Sequence, residues 1–140
     1  MFKAVDVKAV KRYVSPKDPS AENPTVFIIG YIDPALRSFI DGKFLGIEID
    51  EKNKSINKPP VNPTQYSILM FMYGLRGVEN FMGPDGVTPL ALTLENQSIA
   101  GVSYPCVPKD VIANFHMELI VELAEEIVKF QSLSVSEIKN

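Results

Sequence analysis

The hydrophobic pattern of the chain predicts several β-strands. Thr25–Ile32 is β-branched, aromatic and apolar on both faces, which predicts a central strand covered on both sides. Ile47 and Ile49 alternate with charged residues and predict an edge strand. Three leucines at every second position predict another strand, Leu90, Leu92 and Leu94. The composition of residues 95–101 is typical of a turn or irregular backbone. As a separate possibility, Ile99 and Val102 could belong to a returning strand.

Two short helices are marked by their first residues. Asp33 and Pro34 form a capping start, after which Leu36, Phe39 and Ile40 supply an apolar face and Gly42 is a natural stop. A second helix starts at Asn62-Pro63, where Gln65 can reach back as in a capping box. It is apolar nearly all round, and Gly74 and Gly77 bracket its predicted end.

The longest predicted helix follows Pro108. Its apolar stripe has steps of three and four residues, formed by Ile112, Phe115, Leu119, Leu123 and Ile127. The opposite, solvent-facing side is assigned to Asn114, Glu118, Glu122, Glu125 and Lys129. Ser134–Glu137 repeats the capping-box pattern and predicts a separate last turn of helix that ends at Asn140.

These elements predict an α+β fold with three to four helices packed on a small, mostly antiparallel sheet. We expect a flexible basic arm over residues 1–23, a single globular domain over 24–140 and a surface loop over 51–61. A chain of 140 residues with 46% hydrophobic and 22% charged residues has the balance of one ordinary globular domain.

Composition and the N-terminus favour a cytoplasmic protein. The single cysteine, Cys106, cannot form an internal disulfide. The first residues do not resemble a signal peptide, and the longest apolar run, residues 68–75, is too short to cross a bilayer. A net charge of −3 gives the whole chain no electrostatic attraction to nucleic acid.

Reactive side chains are scarce, so we expect no enzyme activity, no cofactor and no metal site. His116 is the one histidine and lies beside an apolar stripe, where a packed or rim position is the usual role. Cys106 has no adjacent basic group to activate it. The glutamates of the last long helix are typical of a solvated face. An enzyme would need a site shared between subunits, combining His116 with carboxylates of another chain.

A DNA-contacting accessory protein is the alternative from a different class. The N-terminal arm carries residues that can touch a phosphate backbone, namely Lys8, Lys11, Arg12, Tyr13 and Lys17.

Several segments together resemble small proteins encoded among the head and tail genes of tailed bacteriophages, including tail assembly chaperones. The N-terminal part of the resemblance consists of Tyr13, Ser15, Asp18, Pro19, Pro24–Phe27 and Asp33-Pro34. It continues over Leu75–Phe81, Val107-Pro108, Glu122–Ile127 and Leu133–Asn140. Order and spacing agree over most of the chain, but Lys43–Val61 is not part of the match.

The resemblance implies a non-enzymatic role in virion assembly, as a tail assembly chaperone or a small tail or connector component. Members that act as chaperones hold the aggregation-prone helices of a tape-measure protein until tail-tube subunits polymerise. The expected partners are therefore other phage structural proteins, or a second copy of this chain, and virion association is possible. Our candidate partner-binding residues are adaptable side chains of the second helix, Met70, Phe71, Met72 and Tyr73.

Overall fold

The computed structural model describes the backbone of residues 1, 3–44, 48–50, 55–57 and 63–139, with side chains at 1, 3–43 and 63–131. Its main sheet has three antiparallel strands in the order β1 (Val10–Tyr13), β2 (Val26–Gly30) and β5 (Leu75–Glu79). The β-branched β2 lies in the middle, with Phe27 and Ile29 buried. The prediction of a central strand is therefore confirmed, whereas cover is complete only on the Phe27 and Ile29 face, since Val26 and Ile28 on the other face are half-buried.

The predicted arm over residues 1–23 contains a strand that the sequence did not predict, β1 at Val10–Tyr13. This strand pairs with β2, and Lys11 lies opposite Ile29. The Arg12 guanidinium also forms two hydrogen bonds with the Glu79 carboxylate, at 2.6 and 2.7 Å. Main-chain pairing on one edge and this ion pair across the sheet fix a segment whose polar composition alone indicates mobility.

Helix α1 (Pro34–Phe44) starts where the sequence predicts. The Leu36 amide donates to Asp33 Oδ1 at 2.8 Å, which satisfies one of the free amides of the first turn. Leu36 and Ile40 are buried, whereas Phe39 is 40% exposed and lies under the Lys43 ammonium. Gly42 does not end the helix, which continues to Phe44.

A short hairpin follows α1. Strand β3 (Glu48–Asp50) pairs antiparallel with β4 (Ser55–Asn57). The predicted edge strand is thus present at 48–50, and residues 55–57 of the predicted loop over 51–61 form its partner strand. Residues 45–47, 51–54 and 58–62 lie outside the described residues, and with them the predicted cap at 62.

Helix α2 (Pro63–Gly74) passes into β5 without a connecting loop. The sequence predicts a helix end between Gly74 and Gly77 but no strand there, so β5 is a correction. The Arg76 side chain fixes this transition, because its guanidinium donates to the carbonyls of Tyr73 and, at 3.0 Å, Tyr31. It thereby closes the last turn of α2 and ties β5 to the end of β2.

The second two-stranded sheet is the hairpin of β6 (Glu95–Ile99) and β7 (Val102–Cys106). Ala100 and Gly101 form its turn with φ values of 52° and 82°, the left-handed geometry of a two-residue hairpin turn. The returning strand is confirmed at Val102, but Ile99 belongs to the outgoing strand β6, and the irregular backbone predicted over 95–101 is wrong for 95–99.

Residues 90–94, all of which the structure describes, form no strand. Their alternation is nevertheless real, because Leu90, Leu92 and Leu94 are half-buried against the core while Ala91 and Thr93 are exposed. The Leu90 amide donates to the Phe81 carbonyl at 2.7 Å instead of joining a ladder.

The predicted long helix is divided into α3 (Lys109–Ile112) and α4 (Met117–Lys139). Residues 113–116 form a turn that directs Phe115 into a cluster of aromatic rings, with centroids 4.9 Å from Phe71 and 4.8 Å from Phe81. Helix α4 continues through the predicted capping box at 134–137 to Lys139, so the expected separate last turn is absent from this described segment.

The core is one cluster built by the sheet, α1, α2, β7 and α4. Helices α2 and α4 cross where Gly74 faces Ile127. The α+β prediction is confirmed: the described part of the chain has four helices and small antiparallel sheets. None of the helices within these described ranges is long and apolar enough to span a membrane.

Candidate functional site

The four candidate partner-binding residues of α2 lie in the core. Met70 and Phe71 have no exposed surface, Tyr73 is 6% exposed, and Met72 is half-buried. These side chains therefore cannot form an exposed contact surface in this fold. They face α4 and the aromatic cluster because α2 is apolar on nearly every side and is enclosed by its neighbours.

An open groove of about 420 Å³ lies between the loop that follows β1 and the first turns of α4. We call it the α4 groove. Its apolar floor is formed by Phe27, Phe81 and Leu119. The remaining lining residues are Ser15, Lys17, Asp18, Pro19, Thr25, His116, Glu118 and Glu122. The volume falls within the range of about 300–1,000 Å³ that is usual for ligand sites.

The loop wall of the α4 groove is held by Asp18. Its carboxylate accepts hydrogen bonds from the amides of Ser20, at 2.9 Å, and Thr25, at 2.8 Å. These bonds lower the pKa of Asp18, because they favour the charged form. The Thr25 hydroxyl in turn donates to the Asn80 carbonyl at 2.8 Å. The wall is therefore organised before any ligand is present.

The helix wall contains Glu122, which the sequence assigns to a solvent-facing side. That prediction is wrong, because β1 and the following loop cover this residue and leave its side chain 14% exposed. Tyr13 donates its hydroxyl to Glu122 at 2.8 Å, and the Lys17 ammonium lies 3.8 Å from the same carboxylate. Burial, followed by the bond to Glu122, raises the pKa of Tyr13 above its usual range.

Glu118 and His116 form the exposed rim at the start of α4. The His116 carbonyl accepts the amides of Leu119 and Ile120, so this residue begins the helix. Glu118 lies one helical turn before Glu122, which places both carboxylates on one side of the helix. His116 is thus a rim residue, as the sequence indicates.

The groove brings together Ser15, Asp18 and His116, the residue types of a hydrolase triad. Their hydrogen bonds run elsewhere, however. Ser15 Oγ accepts the Lys17 amide at 3.2 Å, and Asp18 binds backbone amides. Within the described ranges no hydrogen bond joins Ser15 to His116, so these groups are not connected as a nucleophile and its base.

Cys106 is buried, and its thiol lies 3.4 Å from the Val107 carbonyl oxygen, which accepts its hydrogen bond. Burial, with the Glu95 charge as a smaller cause, raises the pKa of this thiol. This fits a packed structural role. Over the described parts of the chain, no group of three or more His, Cys, Asp or Glu side chains is placed to hold a metal ion.

The basic residues of the N-terminal arm are largely paired with carboxylates of the same chain. Lys11 lies 3.7 Å from Glu126, and Arg12 forms its bidentate pair with Glu79. The Lys17 ammonium lies 3.8 Å from the Glu122 carboxylate. Each pair reduces the positive charge that these side chains offer to a phosphate backbone.

A second hollow of about 370 Å³ adjoins the α4 groove. The two share Phe81 and His116, and the hollow is also lined by Met82 and the Gly83-Pro84 turn. Its remaining lining residues are Leu90, Ala113 and Asn114. An elongated ligand can therefore extend from the groove along the Phe81 side chain.

Comparison with protein-family models, curated proteins and solved structures finds no match to this chain.

The floor residues Phe81 and Leu119 were missed as candidates, because each is an ordinary apolar residue in its own segment. The signal that could have identified the groove is the pair Glu118 and Glu122 flanking Leu119. Two acids beside an apolar residue at helical spacing are also common on solvated faces. The pattern therefore indicates a groove only when it is known that β1 covers this side of α4.

Proposed function

We propose that this chain is a non-enzymatic, protein-binding component of tailed-phage virion assembly, either a tail assembly chaperone or a small tail or connector component. The α4 groove is the contact surface in this proposal, in place of the buried α2 residues. The observation that carries the protein-binding part is the groove itself, which joins an apolar floor to a charged rim on a wall that is already organised.

The open shape of the groove favours a segment of another protein over a compact small molecule. The groove is open to solvent and adjoins the hollow at Phe81. A helix or extended segment can lay apolar side chains on Phe27, Phe81 and Leu119 while its polar side faces the rim. The mechanism would be to cover an apolar segment of a tape-measure or tail-tube type protein until assembly.

The viral part of the proposal is supported by where the resembling segments lie. Residues that carry the resemblance come from separate parts of the chain, yet many of them line this one groove. They are Ser15, Asp18, Pro19, Thr25, Phe27, Phe81 and Glu122. A role shared with tail assembly proteins would require these segments to act together, which their position in one groove permits.

The proposal predicts that the chain co-purifies with a structural protein encoded beside it. Leu119→Arg, which places a long cation on the apolar floor, should abolish that co-purification, and Pro19→Arg on the exposed loop wall should weaken it. Val102→Arg is the matched control, because Val102 is 50% exposed on the β6–β7 hairpin and does not line the groove.

Thermal unfolding would first show that each variant is folded. Loss of the partner with Pro19→Arg and retention with Val102→Arg would support the proposal. Absence of any structural protein among the co-purified partners, or equal loss with all three variants, would contradict it.

A further inference from the structure

We propose that the α4 groove recognises a cationic side chain, arginine or lysine, carried by an otherwise apolar segment of the partner. The aliphatic part of that side chain would lie on Phe81 and Leu119, and its charged end would meet Glu118 and Glu122. This inference rests on the proposed function, since it specifies the chemistry of the segment that the groove binds.

The charge of the lining points to a cation. Three carboxylates line the groove, those of Asp18, Glu118 and Glu122, against the single ammonium of Lys17. The Asp18 carboxylate is occupied by two backbone amides. Glu122 gives one oxygen to the Tyr13 hydroxyl, and its other oxygen lies 3.8 Å from the Lys17 ammonium. Glu118 and this second oxygen of Glu122 are therefore the acceptors for a ligand, one turn apart on the same side of α4.

Glu122 is already prepared to accept a cation. The hydroxyl of Tyr13 holds one carboxylate oxygen at 2.8 Å, and the side chain is 14% exposed. A carboxylate that is shielded from water interacts more strongly with a cation than one on an open surface. The adjacent apolar floor suits the methylene stem of lysine or arginine, which commonly covers apolar surface while its charged end stays polar.

Lys17 shows that a cation can lie beside Glu122, because this residue of the same chain already places its ammonium there. Its ammonium lies 3.8 Å from the Glu122 carboxylate, which is beyond hydrogen-bond distance, and its side chain is 73% exposed. Because Lys17 is mostly exposed and makes no hydrogen bond to Glu122, this pair holds Lys17 only weakly. A partner's cation can therefore replace Lys17 at Glu122 at low cost, and Lys17 acts as a weak internal competitor for the site.

The test uses the full chain and a short, blocked peptide of leucine and alanine with two arginines one helical turn apart. A matched peptide has glutamine in place of each arginine. We expect the arginine peptide to shift the backbone NMR signals of Thr25, Glu118 and Leu119, and to bind roughly tenfold more tightly than the glutamine peptide. Its affinity should fall as salt is raised.

Protein variants separate a charge effect from a structural one. Glu118→Gln, which alters an exposed rim residue, and Glu122→Gln should each weaken binding of the arginine peptide several-fold, whereas Glu125→Gln, on the same helix but outside the groove, should not. Lys17→Ala should strengthen binding a few-fold, because it removes the competitor. A merely structural role of Lys17 would not produce that gain.

Equal binding of the two peptides, weaker binding by Lys17→Ala, or no binding of the arginine peptide would overturn the inference. The proposed function fails separately. If a phage structural protein co-purifies equally with wild type and with Glu118→Gln and Glu122→Gln, the function stands and the cation preference fails. If the arginine peptide binds as expected but no structural protein co-purifies, the groove chemistry stands and the assembly role fails.

Discussion

Gly74 is the residue on which the crossing of α2 and α4 depends most closely. A Cβ atom at this position would lie 2.5 Å from Cδ1 and 2.6 Å from Cγ2 of Ile127. We expect Gly74→Ala to lower the free energy of unfolding by about 1–3 kcal/mol, because a buried overlap forces the helices apart. Urea unfolding of the purified chain would measure it, and the cost should shrink when Ile127 is first changed to alanine.

Gly42 supplies the matched control for Gly74. It also lies within a helix, but a Cβ there would meet no atom of the described residues within 4 Å. Gly42→Ala should therefore raise the free energy of unfolding by about 0.5–1 kcal/mol through the better helix propensity of alanine. If both substitutions had the same sign, the close packing of α2 on α4 at Gly74 would be contradicted.

Single residues were predictable from sequence where the interaction is local. The Asp33 cap on α1 follows from a carboxylate three residues before the amide that it accepts. The environment of Glu122 did not follow, because its Tyr13 partner is 109 positions away in the chain. Helical periodicity identified a polar side of α4 correctly but could not show that β1 covers part of it.

At the scale of single elements, the turn at Gly83–Gly86 predicts a specific pH dependence of folding stability. The Asp85 carboxylate accepts the Val87 and Thr88 amides and the Thr88 hydroxyl, which lowers its pKa from 3.8 to about 2. Because the folded state favours the charged form, its stabilisation is present above pH 3.8 and is lost as the pH falls through about 2.

Asp85→Asn should therefore unfold at a lower temperature than wild type at neutral pH, and this difference should narrow as the pH falls from about 3.8 to about 2. Thermal unfolding followed by circular dichroism across this range would measure it. Glu22→Gln, which alters an exposed carboxylate in the loop after β1, is the control. A difference between wild type and Asp85→Asn that stays constant with pH would contradict the role given to Asp85.

Strand and helix types were predicted best where burial and propensity agree. β2 is β-branched, buried on its Phe27 and Ile29 face and half-buried on the other, so its pattern identified it. β5 and β6 were not predicted, because Leu75–Glu79 follows a strong helical pattern directly and Glu95–Ile99 is polar and largely exposed. The alternating leucines over 90–94 show the converse: period-two burial requires an extended chain, but not a partner strand.

At the scale of the whole molecule, the α4 groove could not be predicted because four separate segments build it. The loop after β1 supplies one wall and the start of α4 the other, while Phe27 of β2 and Phe81, just after β5, form part of the floor. The turn at 113–116 ends the helix that the sequence would have continued, and so exposes His116 and Glu118 at the groove. The α+β class, by contrast, follows from local patterns and was predicted in full.

Photo-crosslinking tests the central claim most directly. A benzophenone amino acid in place of Lys17, an exposed residue that lines the groove, would be compared with the same amino acid in place of Val102 on the β6–β7 hairpin. Expressed together with the structural proteins that the proposal names as partners and irradiated, the chain should crosslink to one of them from position 17 and not from position 102. Equal crosslinking from both positions, or crosslinking from position 102 alone, would contradict the groove as the binding surface.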